Sequence, residues 1–258
     1  MDIETYYYGQ GKIELANIAS DGTLGPWRWV GDVSVFSPKF STDKVTHKES
    51  YSGKKGVVRS FAIGPAGTID MTWHQLDATN LALVLQGQVS DEDEGTFSAL
   101  ALPADLAVGD TFDLGHLGVS EVVITDATSG DPVTLQEGTH YSLDTNFGTG
   151  TILSLTGVTQ PFTAAGSYAA TRSVGFFAAV PANVALRYRG VNLAENNAPV
   201  EAMFYKVTTD PLQELALITT GDDVAGAQIT ANLLLDTSKP SSGALGQFGY
   251  IRQLAPAA

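Results

Sequence analysis

The 258-residue chain contains 28 Asp and Glu against 14 Lys and Arg, which gives a net charge of −14 at pH 7. This charge argues against general nucleic-acid binding, because most of the surface would repel the phosphate backbone. The chain has no cysteine, which excludes disulfides and thiolate metal sites.

The composition is typical of a β-protein, since 27 Gly and 11 Pro supply turns between segments rich in Val, Thr, Tyr and Phe. All-β chains of this length often form one domain, so a single domain over residues 1–258 is expected. The first residues lack the basic and apolar regions of a signal peptide, and no apolar run is long enough to span a membrane. We therefore expect a protein that is made in a cytoplasm and does not enter a membrane.

The first part of the chain reads as short strands separated by turns. In residues 68–73, Ile69, Met71 and Trp73 alternate with polar residues and so share one face. A turn is predicted at residues 64–67, Gly-Pro-Ala-Gly, just before that strand. The strands predicted in this part are residues 12–18, 27–30, 33–40, 57–63 and 68–73.

The clearest helix follows these strands. Asp77 is suited to cap its start, and Ala78, Leu81, Ala82 and Leu85 recur on one face. A helix this short needs a sheet to lie against.

The rest of the chain again indicates short strands and turns. The predicted fold class is therefore mostly β with one principal α-helix, in short strands at a spacing typical of a sandwich or a barrel. The turn-rich block at about 105–166 is the best candidate for a β-rich elaboration of the domain.

Residues 39–59 differ from the rest of the chain in charge. They hold six of the 14 Lys and Arg and only two acidic residues, so their net charge is +4 and that of the remaining residues is −18. This segment is predicted to be a long basic loop between two strands. A basic segment on an acidic body suggests either a nucleic-acid contact or docking on an acidic copy of the same chain. The predicted subunit-interface residues, with Glu49 as a counter-charge among the cations, are Lys44, His47, Lys48, Glu49, Lys54, Lys55 and Arg59.

The sequence lacks the motifs of common enzymes and cofactor sites. It has no nucleophile elbow, no dinucleotide-binding fingerprint and no Walker A sequence. The scattered residues His47, His74, His116 and His140 do not have metal-ligand spacing. We therefore expect no catalytic residue, no cofactor and no metal.

Aromatic residues near the N-terminus leave a binding function open. The residues Tyr6, Tyr7 and Tyr8, with Trp27 and Trp29, would suit a sugar-binding platform, although such residues also anchor ordinary subunit interfaces. A carbohydrate-binding or adhesive β-sandwich is thus an alternative function.

Seven segments together carry a family likeness. They are YYYGQGKIELA (6–16), RWVGDV (28–33), HKESYSG (47–53), NLALVLQG (80–87), RYRGVNLAENNAPVEAMFYKV (187–207), PLQELALI (211–218) and ITANLLLD (229–236). With them the chain resembles the tail tube, or major tail, proteins of long-tailed bacteriophages.

This resemblance implies a tail-tube fold, with two packed antiparallel sheets and one principal flanking α-helix. It also implies six-subunit rings that stack into a hollow tube, through which DNA is ejected into the host. The loop at 39–59 would reach a neighbouring subunit or ring. The implied partners are further copies of the chain, a tape-measure protein and tail-terminal proteins, while DNA would pass without specific binding. The implied location is the virion tail, assembled in the host cytoplasm. The inner tube of a contractile secretion or injection system is a further alternative.

Overall fold

The structure is a computed structural model and describes residues 6–220 and 224–254. Half of the chain lies in strands, the sheets are mainly antiparallel, and α1 (Ala78–Val84) is the α-helix of the described ranges. The predicted mostly-β class is confirmed, and the architecture is consistent with a β-sandwich that carries one helix. None of the described helices has the length and hydropathy that a membrane crossing requires.

The strands are β1 (Gly9–Asn17), β2 (Arg28–Trp29), β3 (Val33–Lys48), β4 (Val57–Trp73), β5 (Gln88–Glu92), β6 (Gly95–Ala101), β7 (Thr111–Asp113), β8 (Ser120–Thr125), β9 (Tyr141–Asp144), β10 (Thr149–Ile152), β11 (Thr163–Tyr168), β12 (Thr171–Gly175), β13 (Asn183–Asn192), β14 (Ala198–Thr209), β15 (Ala227–Leu233) and β16 (Gly249–Gln253).

The chain divides into two compact units. The first contains the described parts of residues 1–89 and 174–258, and the second is Ser90–Ser173. The first unit is built on one sheet with the strand order β2-β1-β13-β14-β15-β4-β3, in which β16 also pairs with β14. The block at about 105–166 lies inside the second unit, whose bounds are wider.

The core of the first unit lies on alternate residues of its strands. Ile69, Met71 and Trp73 of β4 are at most 2% exposed, which confirms that they share one face. They pack with buried residues of the neighbouring β15, such as Ile229, and of β13, such as Leu186. Burial of this face fixes the register of β4, because a shift by one residue would turn these side chains to solvent.

The helix begins where the sequence predicts. The Asp77 carboxylate accepts a hydrogen bond from the backbone N–H of Asn80 at 2.8 Å and so caps α1. The fully buried helix residues are Asn80 and Val84, whereas the predicted stripe at Ala78, Leu81, Ala82 and Leu85 is half-buried. The Asn80 side chain donates to the backbone oxygens of Val30 and Gln75, both at 2.8 Å, and accepts from Arg28 at 2.6 Å. A polar side chain thus joins the helix to the ends of β2 and β4.

The second unit has a separate core. Its two three-stranded sheets have the strand orders β7-β10-β9 and β6-β11-β8. Phe112, Ile124 and Phe162 are buried at its centre. A buried carboxylate, Asp126, accepts hydrogen bonds from the backbone N–H groups of Thr128, Val133 and Thr159 and from the Thr128 hydroxyl. The Asp126 carboxylate therefore connects turns that are distant in sequence.

The segment predicted as a long loop is instead most of a β-hairpin. β3 and β4 pair continuously from Val33–Trp73 to Lys48–Val57, with three register irregularities. The loop that remains is short, residues 49–56. The predicted turn at 64–67 is also wrong, since those residues lie inside β4. Pro65 is tolerated there because β15 does not reach that part of β4, so no strand needs its missing N–H on that side.

Candidate functional site

The β3–β4 hairpin extends beyond the eight-stranded sheet. β15 pairs with β4 only along residues 68–73, so residues 57–67 of β4 have β3 as their sole partner among the described strands. We call residues 40–66 the arm. Every residue from Lys39 to Ile63 is exposed except Glu49. A two-stranded ribbon in water on both faces is marginally stable by itself, and a partner surface would stabilise it.

One face of the arm combines cationic and apolar groups. Residues paired directly across two antiparallel strands lie on the same face. His47 pairs with Arg59 and Val45 pairs with Phe61, so these four side chains share a face. The Arg59 guanidinium lies over the Phe61 ring at 5.4 Å, in agreement with that register.

The remaining predicted cations lie elsewhere on the arm. Lys44 and Lys48 alternate with His47 along β3 and therefore occupy the opposite face. Lys54 and Lys55 lie in the tip loop, residues 49–56. The ion pairs of the described residues include none of these lysines. Positive charge is thus distributed over both faces and the tip, and the predicted residues do not converge on one point.

Glu49 organises the tip loop. Its carboxylate accepts hydrogen bonds from the Ser52 hydroxyl, from Ser52 N at 2.7 Å and from Tyr51 N at 2.9 Å. These bonds, with that of the Ser52 hydroxyl the most important, lower the pKa of Glu49 to about 2. The backbone N–H of Glu49 also donates to Gly56 O at 2.9 Å, which closes the loop. Glu49 was predicted as a counter-charge within the interface, but its carboxylate is buried and engaged in the fold of its own loop.

The arm also exposes large apolar side chains that the sequence analysis missed. Several large apolar side chains exposed on one short ribbon are consistent with an interaction site. The charges of residues 39–59 do not indicate the role of the run Val-Val-Arg-Ser-Phe-Ala-Ile at 57–63, which places apolar groups on both faces. The exposed fractions are Phe40 68%, Tyr51 85%, Val57 57%, Val58 53% and Ile63 65%.

Charge is divided unevenly along the chain. Lys39, at the base of the arm, forms an ion pair with Asp70 at 2.5 Å, so this one of the six basic residues is already neutralised. The second unit, Ser90–Ser173, contains twelve Asp and Glu and one arginine, a net charge of −11. That arginine, Arg172, pairs with Asp91 at 2.5 Å. A copy of this chain therefore offers an arm whose cations, apart from Lys39 at its base, form no ion pair with another described residue, together with extensive acidic surface.

Each tryptophan of the predicted sugar platform has a cation over its ring, although Trp29 remains 47% exposed. The Arg187 guanidinium lies 4.1 Å from the Trp27 ring centroid, and Lys12 Nζ lies 5.0 Å from that of Trp29. Arg187 is held in place by Glu14 at 2.7 Å. Burial would raise the pKa of Glu14, but hydrogen bonds from Arg189 and Arg187 outweigh it and lower the pKa. The Trp27 ring thus contacts a charged network that joins Glu14 of β1 to Arg187 of β13.

The three tyrosines have an anchored backbone and exposed rings. Asn192 accepts a hydrogen bond from Tyr8 N at 2.8 Å and donates to Tyr6 O at 2.7 Å. The exposed fractions of Tyr6, Tyr7 and Tyr8 are 67%, 58% and 65%. The Tyr7 hydroxyl donates to the Tyr188 hydroxyl at 3.4 Å. The structure therefore brings together the tyrosines with β13.

The histidines remain apart from one another. His74 contacts Ala225 O and Ser34 Oγ at 3.0 and 2.8 Å, and His140 Nδ1 accepts from the Gln136 N–H at 2.9 Å. Within residues 6–220 and 224–254, no group of three or more His, Cys, Asp and Glu side chains has an arrangement that would hold a metal ion.

Comparison with known proteins places the chain in a family. The model of one family, described as protein of unknown function UCP028589, matches residues 6–252. Because the match covers nearly all of the sequence, the chain belongs to this family. A search of the curated proteins finds no match.

Proposed function

We propose that this member of the UCP028589 family is a structural virion protein, the subunit of six-membered rings that stack into a bacteriophage tail tube. The proposal starts from the resemblance of seven segments to tail tube proteins, and the observation that carries it further is the arm. A ribbon of about 27 residues that is exposed on both faces has few stabilising contacts within its own subunit. Docking on a neighbouring copy supplies those contacts.

Charge would guide this docking. The arm carries five cations that form no ion pair with the residues that the structure describes, while the chain as a whole has a net charge of −14. These cations are Lys44, Lys48, Lys54, Lys55 and Arg59. Complementary charges speed the encounter of two surfaces and fix their register, and apolar contacts then supply most of the affinity. The exposed valines and aromatic residues of the arm provide those contacts.

The acidic surface also suits a conduit for DNA. Carboxylates near the lumen repel phosphates over roughly 8 Å at physiological salt, so DNA slides through without adhering. The partners in this proposal are further copies of the chain, a tape-measure protein and tail-terminal proteins, with the tail of the virion as the location. An inner tube of a contractile secretion or injection system would use the same arm and is the second candidate.

The test is electron microscopy of the purified protein at increasing concentration, with sedimentation in low and high salt. We expect rings or tubes whose formation weakens as salt rises. The double variant Lys54→Glu/Lys55→Glu should remain folded and fail to form tubes. Its matched control is Lys206→Glu/Lys239→Glu, which changes the net charge equally at positions outside the arm. Normal tubes from the arm variant would contradict the docking role, and a wild-type protein that stays monomeric and gains thermal stability with a sugar would favour a carbohydrate-binding module.

A further inference from the structure

One surface of the second unit combines exposed apolar side chains with carboxylates. Phe147 and Leu117 are 63% and 51% exposed. Leu117 belongs to the loop between β7 and β8, residues 114–119, and Phe147 belongs to the loop between β9 and β10, residues 145–148. We call these two loops and the aspartates that precede them, Asp113 and Asp144, the paired-loop surface.

The two loops are in direct contact. Gly118 N donates a hydrogen bond to Asn146 O at 3.0 Å. A Cβ added at Gly148 would lie 2.1 Å from His116 O, so the backbones also meet at that point. Each exposed apolar residue lies between two contacting residues of its own loop. The two apolar side chains therefore start from adjacent backbones and belong to one surface.

Carboxylates flank the apolar pair. Asp113 of β7 and Asp144 of β9 both lie directly opposite Thr149 of the central strand β10, so they share a face of the sheet. Two strand spacings place them about 10 Å apart. Asp113 Oδ1 accepts a hydrogen bond from Gly115 N at 2.7 Å, and Asp144 Oδ1 accepts one from Asn146 N at 3.0 Å. Both carboxylates are thus held beside the loops that carry the apolar residues.

The same surface lacks a cation that would neutralise it. A third carboxylate, Glu92, lies 3.8 Å from His116 Nδ1 in the first of the two loops. The loops contain no Lys or Arg, and the arginine of the second unit, Arg172, is paired with Asp91. The paired-loop surface therefore has an apolar centre and an acidic rim.

One face of the arm has the complementary arrangement. It carries the apolar pair Val45 and Phe61 beside the basic pair His47 and Arg59. The two pairs are about 7 Å apart along the strands. The core of an interface is depleted of charge and its rim is polar, and opposite charges on the two rims speed the encounter and fix the register. The net charge of −11 on the second unit attracts the arm over a longer range.

Other exposed apolar side chains of the described chain suit the arm less well. Trp29 lies beneath Lys12, and Val180 lines a cleft together with Arg28. A cation at these positions would repel the cations of the arm.

We propose that the paired-loop surface of one copy receives the arm of a second copy. Val45 and Phe61 cover Leu117 and Phe147 in this contact, while Arg59 meets the aspartates at the rim. The contact joins two different surfaces of identical chains, and a contact of that kind generates rings or open stacks depending on its rotation. The inference rests on the proposed tube function and gives the second unit a role in it.

Cysteine cross-linking tests the contact directly, because the chain has no cysteine and each introduced thiol is unique. One protein carries Val45→Cys on the arm, and the other carries Leu117→Cys on the paired-loop surface. Mixed under assembly conditions with a short bismaleimide, they should yield a covalent dimer. The matched control replaces the second protein by Val108→Cys, which is 62% exposed and precedes β7 at its opposite end. That mixture should give no dimer above background.

Charge reversal measures the effect on assembly. Asp113→Lys/Asp144→Lys should raise the critical concentration for tubes by at least about tenfold, since close charge pairs across an interface couple by that much or more. Adding Arg59→Glu to the same chain should restore part of the loss. A merely structural role of the aspartates would not respond to a change on the arm. Asp131→Lys/Glu137→Lys makes the same change in net charge elsewhere in the second unit and should leave the critical concentration unchanged.

The outcomes separate the two proposals. Tubes that form without the cross-link, or a charge reversal that Arg59→Glu does not relieve, overturn this contact and leave the tube function standing. If the reversed aspartates unfold the second unit, the cross-link decides alone. The cross-link in oligomers that never form rings or tubes supports the contact and overturns the tube. Monomers without a cross-link at any concentration overturn both.

Discussion

The cross-strand pair Val45 and Phe61 allows assembly to be separated from folding. In the free subunit these side chains are 50% and 48% exposed, so about half of each is available for burial by a partner. Complete burial of such a side chain contributes about 1.5–3 kcal/mol. Burial of the remaining half of each would contribute about 0.7–1.5 kcal/mol, and the pair together about 1.5–3 kcal/mol.

The variant Val45→Ser/Phe61→Ser should therefore raise the critical concentration for tube formation by about 10–150-fold, given that 1.4 kcal/mol is a factor of ten. The subunit itself should lose little, because exposed cross-strand pairs contribute about 0.2–1 kcal/mol to a sheet. Sedimentation across a concentration series, with particles checked by electron microscopy, measures the first quantity. Urea unfolding of dilute protein measures the second.

The matched control is Val180→Ser/Phe176→Ser in the first unit, where the side chains are 87% and 69% exposed. This variant loses the same chemical groups from a surface to which we assign no contact. An unchanged critical concentration for the arm variant, or an equal increase for both variants, would refute the assignment of this arm face to an interface.

Two further predictions concern the folded subunit. Asn80→Leu should destabilise the first unit by about 2–4 kcal/mol in urea unfolding, because the buried Val30 carbonyl and the part-buried Gln75 carbonyl lose their donor and Arg28 loses its acceptor; a loss below about 1 kcal/mol would contradict this account. In the second unit, burial would raise the pKa of Asp126, but hydrogen bonds from Thr128, Thr159 and Val133 lower it from 3.8 to about 2. Its contribution to stability is therefore complete above the unfolded pKa and is lost as pH falls from about 4 to 2. Asp126→Asn should be less stable near neutral pH and should show a smaller loss of stability over that interval, as measured by thermal melting at each pH; parallel pH profiles for the two proteins would count against it.

Local patterns predicted the elements that have one buried face. The alternation Ile69, Met71, Trp73 identifies a core strand because a half-buried strand must alternate. Asp77 marks the start of α1 because an N-cap supplies an acceptor that the first turn lacks. Asn80 could not be found this way, since its burial depends on carbonyls at Val30 and Gln75 that only the tertiary fold brings near.

The arm was misread for a related reason. Gly64, Pro65 and Gly67 are typical of a turn, and a ribbon with water on both faces has no alternation to contradict that interpretation. These residues stay in β4 because they pair with β3, from Phe40 opposite Gly67 to Asp43 opposite Gly64. The register of this pairing continues that of the buried part of the two strands. The net charge of the segment is evident from the sequence, but the distribution of its cations over two faces and the tip loop follows from that register. The role of Glu49 was also not predictable from the sequence, because its carboxylate accepts hydrogen bonds within its own loop only when that loop is closed.

Removal of the arm is the most complete test of whether the arm serves assembly and not the folding of its own subunit. Ser41 pairs with Ala66, so replacing residues 42–65 by Asn-Gly would close the hairpin with a two-residue turn that matches the twist of the strands. No residue of the first unit's core lies in the deleted segment, and we expect urea unfolding within about 1 kcal/mol of the full chain. The shortened protein should form no tubes at any concentration, in low or high salt. An unfolded product would show that the arm stabilises its own subunit, and tubes from a folded product would show that assembly proceeds through other surfaces.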